Sequence, residues 1–202
     1  AIGRDKCLAH LLNSPGNFTA SKLAWVKHNE PEIYEQADKI MLPGDYIAFR
    51  LTGTISTSIS ALSEGVFWDF KKGELSHDVL HHSGISRELI PAIQDVCSVH
   101  GTVSADIAAQ LSLKTGIPVS YKAGDQPNNA LSLNVLEPGD VAATAGTSGV
   151  IYGVSDALTY DPQSRVNSFA HVNHTPEQQR IGVLLCINGT GILYRWIRDI
   201  AG

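Results

Sequence analysis

An aspartate between a predicted strand and a predicted helix is the first residue whose position indicates chemistry. Asp125 follows Gly124, and residues 118–123 before it have the apolar pattern of a strand. Ligands of α/β proteins bind at the carboxyl ends of strands, where a carboxylate can accept a proton from a substrate hydroxyl as a general base. A plain helix N-cap, which stabilises a helix by about 1 kcal/mol, is the alternative role for Asp125. Neutral hydrogen-bonding side chains suited to a polyol follow at Gln126, Asn128 and Asn129.

A turn rich in glycine and hydroxyl groups is the second candidate. It consists of Gly146, Thr147, Ser148 and Gly149 and lies between two predicted strands. The backbone N–H groups of such a turn can bind an anion, and glycine lets a phosphate approach the main chain closely. The sequence contains neither a Walker A Gly-Lys-Ser/Thr nor a Rossmann G-x-G-x-x-G fingerprint. An ordinary hairpin loop without a ligand is the alternative.

The eight histidines form no recognised metal-binding pattern. Two groups have suggestive spacing: His77, His81 and His82, and the pair His171 and His174. Neither group has a Cys, Asp or Glu at a recognised ligand interval, and the sequence has no H-E-x-x-H. We therefore expect solvated or capping histidines and no metal site formed by the chain. A Ser-His-Asp triad is not supported either, because Ser148 precedes a predicted strand rather than a helix.

The apolar periodicity predicts the alternating helices and strands of an α/β protein. Helices are predicted at residues 19–37 with a break at Pro31, 45–51 with Asp45 as the cap, 78–83, 103–113, 128–135 and 192–200. Strands are predicted at residues 66–69, 118–123, 141–145, 150–154 and 181–187, and a strand or an extended loop at residues 54–60. The two neighbouring strands after residue 139 predict a hairpin and therefore a mixed sheet.

Composition excludes several classes of protein. Of the 202 residues 43% are hydrophobic and 17% charged, with 20 acidic and 15 basic side chains and a net charge of −5. Since an ordinary soluble protein has roughly a quarter charged residues, part of the surface is expected to be normally covered. No apolar run approaches the roughly 18 residues of a membrane span. No cluster of basic residues favours a nucleic acid or an anionic membrane as partner.

The cysteines indicate a reducing environment. Cys7, Cys97 and Cys186 are odd in number and far apart, unlike the paired cysteines of a small secreted disulfide scaffold. We expect them to be reduced and mostly buried in a cytoplasmic protein.

Several short motifs, taken in order, resemble the FGGY family of carbohydrate kinases and, within it, the xylulokinase branch. They lie at residues 16–23 (GNFTASKL), Trp25, 30–33 (EPEI), 42–46 (LPGDY), 51–53 (LTG), 101–103 (GTV), 119, 124–126 (GDQ), 146–149 (GTSG) and 168–171 (SFAH). Each motif is short, but the ordered series covers nearly the whole chain. One departure follows residue 53, where the family usually has aspartates and this sequence has Ser58 and Ala61.

The resemblance implies an actin-like, ribonuclease H-like kinase of two α/β domains, of which this chain is an internal segment. Residues 1–138 then form the C-terminal half of the first, sugar-binding domain, and residues 139–202 begin the nucleotide-binding domain. The implied reaction transfers a phosphoryl group from MgATP to a sugar hydroxyl, converting D-xylulose to D-xylulose 5-phosphate. Asp125 would be the general base, Gln126 would lie near the polyol, and residues 146–149 would hold the β- and γ-phosphates. The family's first phosphate turn, sugar-contacting segment and adenosine site lie outside the chain, so we expect the segment alone to be inactive.

Two alternatives remain open at this point. Another FGGY kinase could act on ribulose, gluconate, glycerol or a related polyol. A non-catalytic sugar- or nucleotide-binding module is the other, and it is disfavoured because both Asp125 and the turn at residues 146–149 are intact. The expected partners are a small sugar and ATP, with no nucleic acid and no membrane. Uncovered sheet edges would also favour a homodimer or association with the rest of the parent chain.

Overall fold

Helices and short strands alternate through the computed structural model, which describes residues 2–201. The helices are α1 (Arg4–Leu11), α2 (Thr19–Asn29), α3 (Pro31–Glu35), α4 (Pro43–Thr52), α5 (Ile59–Glu64), α6 (His77–Ser83), a 3₁₀ turn (Arg87–Leu89), α7 (Ala105–Leu111), α8 (Asp125–Ser132) and α9 (Thr190–Ala201). The strands are β1 (Ser56–Thr57), β2 (Trp68–Asp69), β3 (Glu74–Leu75), β4 (Ala92–Ile93), β5 (Val141–Ala145), β6 (Gly149–Ser155), β7 (Asn167–Ala170) and β8 (Ile181–Ile187).

The largest sheet has four strands in the order β5-β6-β8-β7, and every neighbouring pair is antiparallel. The predicted hairpin is confirmed, since Ala145 pairs with Gly149 across the turn. The predicted mixed sheet is wrong for these strands. Parallel pairing within residues 2–201 is confined to the short pair β1 and β4. The sequence reading also missed β7, a four-residue strand at the edge of the sheet.

Local signals account for most of the helix ends. Ser58 and Ser104 each cap a helix by accepting a hydrogen bond from an N–H three residues on. Gly53 ends α4 with a φ of 75°, a conformation that glycine adopts without a steric penalty. The predicted break at Pro31 is confirmed, because α2 ends at Asn29 and α3 begins at the proline.

Two predicted strands differ from the observed structure. Residues 54–60 pair over only two residues, because the Ser58 cap turns the chain into α5. Residues 118–123 form no strand, although they are extended. Thr102 and Pro118 make an isolated bridge, and the Val119 N–H donates to the Gly101 carbonyl at 2.9 Å. The apolar pattern of residues 118–123 correctly indicated an extended backbone. A strand also needs a neighbouring strand that is hydrogen-bonded along its whole length, and this segment has only an isolated bridge.

Two apolar clusters join the elements. The larger one packs α1, α5 and β2 together with Ala170 and Ile181 of the sheet. The smaller one packs Ala130 of α8 against Ala142 of β5 and its neighbours. Helix α8, which begins at Asp125, therefore lies on the strand that leads to the turn at residues 146–149.

Candidate functional site

Asp125 is the first residue of α8, and Gly124 occupies the N-cap position. The proposed alternative role as N-cap is therefore wrong for Asp125. Its Oδ1 accepts a hydrogen bond from the Gln126 backbone N–H at 2.7 Å, and its Oδ2 accepts one from Gln126 Nε2 at 3.3 Å. The side chain is exposed and lines a cleft. A carboxylate that keeps solvent access at the start of a helix can receive a proton from a ligand in that cleft.

The cleft has a volume of about 410 Å³ and lies between α4, α5 and the segment that leads into α8. Its walls carry four ionisable side chains: Asp45, Glu64, Lys122 and Asp125. Three of them are acidic, so the cleft favours neutral hydroxyl donors over anions. Of these four, only Asp125 is a candidate for chemistry from the sequence, because Asp45 and Glu64 lie in segments far from it along the chain.

Lys122 and Asp45 form a buried ion pair in the wall of the cleft. Lys122 is 7% exposed and Asp45 4% exposed, with 2.8 Å between Nζ and Oδ1. Lys122 Nζ also donates to the carbonyl of Ser56 at 2.5 Å and to its hydroxyl at 3.1 Å, while Thr57 donates to Asp45 Oδ2 at 2.7 Å. All three ammonium protons therefore have acceptors. Asp45 lies in the first turn of α4, whose N-cap is Leu42, so the predicted capping role of Asp45 is wrong.

Glu64, the last residue of α5, was not recognised from the sequence. Burial raises the pKa of its carboxyl group to about 7, and the nearby Asp125 and Asp45 contribute in the same direction. Its Oε1 is buried and has no hydrogen-bond partner within residues 2–201. The available signal was its setting, a single acidic residue in the otherwise small and apolar run from 59 to 68.

Gly124 makes room for the Glu64 carboxyl group. A Cβ built on Gly124 would overlap both carboxyl oxygens and the carboxyl carbon of Glu64. The φ of Gly124 is −66°, which any residue can adopt, so the need for glycine here is steric rather than conformational. The backbone directly before Asp125 therefore lies against the Glu64 carboxyl group.

The turn at residues 146–149 joins β5 to β6 and is held by the start of α9. The Gly191 N–H donates to the Gly146 carbonyl at 3.0 Å, and Thr190 Oγ1 donates to the same carbonyl at 3.3 Å. Within residues 2–201, the N–H groups of Thr147 and Ser148 donate to no other protein group. Two free N–H groups and two hydroxyls at an exposed turn are suited to an anion. The donors thus fit a phosphate.

A pocket of about 250 Å³ adjoins this turn. Thr147 lines one side, and Gly191, Ile192 and Arg195 of α9 line the other. Arg195 adds a positive charge beside the turn that the sequence reading did not select. An arginine beside free N–H groups favours a phosphate over a neutral ligand.

The histidines singled out by their spacing differ in their surroundings. No group of three His, Cys, Asp or Glu side chains in the described part of the chain could hold a metal ion. His77, His81 and His82 are exposed as predicted, but His171 is fully buried and hydrogen-bonded to Tyr152 and to the Val135 carbonyl. The predicted role of a solvated or capping histidine is therefore wrong for His171.

The three cysteines are free, as expected. Cys7 is buried, but Cys97 and Cys186 are exposed, so the expectation of mostly buried thiols is wrong. Cys97 lies in a surface turn and Cys186 near the end of β8. No helix among residues 2–201 is long and apolar enough to cross a membrane.

Comparisons with known proteins agree with these features. The profile of the FGGY family of carbohydrate kinases, N-terminal domain, matches residues 10–132. The xylulose kinase of Escherichia coli (strain K12) is 34% identical over 170 residues, which are 84% of this chain and 35% of that protein. The chain thus spans little more than a third of that relative's length.

Solved structures match the fold. The xylulose kinase from Rhodospirillum rubrum has a TM-score of 0.86 and 27% identity, and the match covers 97% of this chain and 39% of that one. The glycerol kinase from Plasmodium falciparum with ADP has a TM-score of 0.86 at 17% identity, over 98% of this chain and 40% of that one, which shows the fold alone. The expected actin-like sugar-kinase fold is confirmed for the segment.

Proposed function

The chain belongs to the FGGY family of carbohydrate kinases, and we propose that it is a segment of an enzyme that transfers a phosphoryl group from ATP to a sugar hydroxyl. D-xylulose is the proposed acceptor and D-xylulose 5-phosphate the product. Support for this acceptor comes from the E. coli relative, which is named a xylulose kinase, and from the R. rubrum structure of the same name. The observation that carries the proposal is the family match together with a solvent-accessible carboxylate, Asp125, in a cleft of about 410 Å³.

Asp125 is the proposed general base. As the acceptor hydroxyl oxygen bonds to the γ-phosphorus, the bond from phosphorus to the ADP oxygen breaks, and the hydroxyl proton passes to the Asp125 carboxylate. Gln126 is the proposed sugar-contacting neighbour, since its side-chain amide lies 3.3 Å from Asp125 Oδ2. Most of the catalysis would come from holding the acceptor in line with the phosphate.

The turn at residues 146–149 is the proposed phosphate-binding element. Thr147 and Ser148 would donate their N–H and hydroxyl groups to phosphate oxygens, and Arg195 would balance charge beside them. Mg²⁺ supplies neutralisation of the transferring phosphates in such kinases.

We retain the division at residue 138 as part of the proposal, with a sugar-binding segment before it and the start of a nucleotide-binding domain after it. Hydrogen bonds cross this division. The Asn13 side chain donates to the Ser168 carbonyl at 2.6 Å, and the Ala170 N–H donates to Ser63 Oγ at 2.8 Å. Helix α8 contacts β5, so the proposed base and the proposed phosphate turn belong to elements that pack together.

The test is an ADP-release assay on the full-length parent protein with D-xylulose, ribulose, gluconate and glycerol, run beside calorimetric titration of each sugar. ATP-dependent turnover that is fastest with D-xylulose supports the proposal. Faster turnover with another acceptor would assign a different FGGY substrate. Binding of sugar and ATP without turnover would instead assign a non-catalytic module.

A further inference from the structure

Glu64 has no role in the mechanism above, although it lies beside the residue that does the chemistry. Its carboxyl group packs against the Gly124 backbone and lines the same cleft as Asp125. It projects from the C-terminal end of α5 and reaches the backbone directly before α8. A ligand that reaches Asp125 must therefore pass close to Glu64.

The Glu64 carboxyl group lacks the partners that a buried acid normally has. Its Oε1 is buried without any hydrogen bond from residues 2–201. Lys122 is the cation that lines the cleft, but its three protons are directed to Asp45 and to two oxygens of Ser56. A buried polar atom without a partner is unfavourable, and such atoms in native structures commonly await a ligand or a water.

The charges and hydrogen-bonding groups of the cleft wall indicate which kind of ligand it can bind. Lys122 balances the charge of Asp45, so Glu64 and Asp125 are the acids that disfavour an anion in the cleft, and the β- and γ-phosphates are expected on the side of the turn at residues 146–149. A carboxylate oxygen accepts a hydrogen bond from a hydroxyl, and a neutral polyol brings such donors without a charge that must be desolvated. We propose that Glu64 binds the acceptor sugar, with its carboxyl group accepting a hydrogen bond from a hydroxyl other than the one that Asp125 deprotonates.

This assignment rests on the proposed sugar-kinase function but predicts something separate from it. Asp125 acts on the reacting hydroxyl, and its loss lowers kcat. Glu64 holds a second hydroxyl, and its loss weakens acceptor binding. The raised pKa of the Glu64 carboxyl group is consistent with this role, because a partly protonated acid near pH 7 both accepts and donates.

The experiment compares Glu64→Gln and Glu64→Ala with the wild type in the full-length protein. Glu35→Gln is the matched control, since Glu35 is also the last residue of a short helix but is exposed and lies outside the cleft. Acceptor affinity is measured by calorimetry, and KM for acceptor and for ATP by steady-state kinetics. We expect the acceptor Kd and KM to rise about 10- to 100-fold in Glu64→Ala, as for loss of a hydrogen bond to a charged group. The ATP KM should change less than about twofold, and Glu35→Gln should match the wild type.

A series of acceptor analogues, each lacking one hydroxyl, adds a readout that a merely structural role would not change. In the wild type, one analogue should bind more weakly than the unmodified sugar, because it lacks the hydroxyl that donates a hydrogen bond to Glu64. That loss should disappear in Glu64→Ala, since the partner is already absent. The melting temperature of each variant is measured in parallel, so that a folding defect is seen directly.

The outcomes separate the two proposals. Unchanged acceptor affinity in both Glu64 variants, with the analogue pattern of the wild type, would overturn the role of Glu64 while leaving the kinase proposal standing. Weakened sugar binding in the variants of a protein that binds sugar without turnover would support Glu64 and overturn the kinase proposal. If the wild type binds no sugar at all, both fall.

Discussion

The buried ion pair between Lys122 and Asp45 leads to a prediction about both stability and catalysis. Lys122 lies three residues before Asp125 in a segment without a regular strand. Its bonds to α4 and β1 are therefore the main tie between that segment and the rest of the cleft wall. We expect Lys122→Met to destabilise the protein and to lower kcat by allowing Asp125 to shift.

The magnitude follows from what each group would lose. With Lys122 removed, Asp45 remains 4% exposed and keeps the Thr57 hydroxyl as its hydrogen-bond donor. An uncompensated buried charge costs about 3–5 kcal/mol of folding free energy. In the double variant Asp45→Asn/Lys122→Met no charge remains, and the two Ser56 oxygens lose their donor, which costs about 1–3 kcal/mol. The double variant should therefore be more stable than Lys122→Met alone.

Urea unfolding followed by tryptophan fluorescence measures these differences, because Trp68 is 6% exposed and its environment changes when the core opens. Lys6→Met is the matched control. Lys6 makes an ion pair with Asp78 at the same 2.8 Å, but the two side chains are 47% and 35% exposed. Such a surface pair contributes about 0–1 kcal/mol. Because the two lysines differ mainly in burial, comparing the two variants isolates the effect of burial on the free energy of unfolding.

The reasoning is refuted if Lys122→Met costs no more than Lys6→Met. It is also refuted if the double variant is less stable than Lys122→Met, because then the remaining Asp45 charge was not the source of the cost. A stable Lys122→Met with unchanged kcat would show that the ion pair does not hold Asp125 in position.

Four further results are expected. Asp125→Asn in the full-length enzyme should lower kcat by several orders of magnitude with little change in sugar affinity, because the amide cannot take the proton; a tenth or more of wild-type turnover would contradict the general-base role. In the Glu64→Gln variant the pH dependence of stability should change: the pKa of Glu64 is raised to about 7 from 4.5, so the wild type should lose roughly 3 kcal/mol relative to the variant as the pH rises from below 4.5 to above 7, and parallel urea stability curves would exclude this. Gly191→Ala should raise the ATP KM because its Cβ would overlap the Gly146 carbonyl, whereas Gly146→Ala meets an atom only at 3.7 Å and should fold normally; a folded Gly191→Ala variant with the wild-type ATP KM would contradict the role of the junction. The 202-residue segment alone should release no ADP with xylulose, and activity from the purified segment would contradict the proposed division of the machinery.

Features that depend on neighbouring residues were predictable from the sequence. The strands on either side of the turn at residues 146–149, the break at Pro31 and the end of α4 at Gly53 all follow from local periodicity and backbone preference. The ordered motifs also led to the family, which the profile match confirms over residues 10–132. The roles of Asp125, Gln126 and the turn stay predictions, although the structure gives each a suitable environment.

Features that depend on long-range contact were decided by the tertiary structure. Residues 118–123 have the pattern of a strand, but a ladder requires a partner along its length and the described chain supplies only a bridge. The sequence places Asp45 where a helix cap is expected, but in the folded chain it forms an ion pair with Lys122. His171 is polar, as surface residues are, but packing buries it completely. No sequence motif marks Glu64. Residue order by itself determined the family, the hairpin and most of the helices, although not α1 or α5, because these features depend on short-range geometry. Burial and the pairing of charges determined which acids share the cleft, because desolvation exists only once distant segments meet.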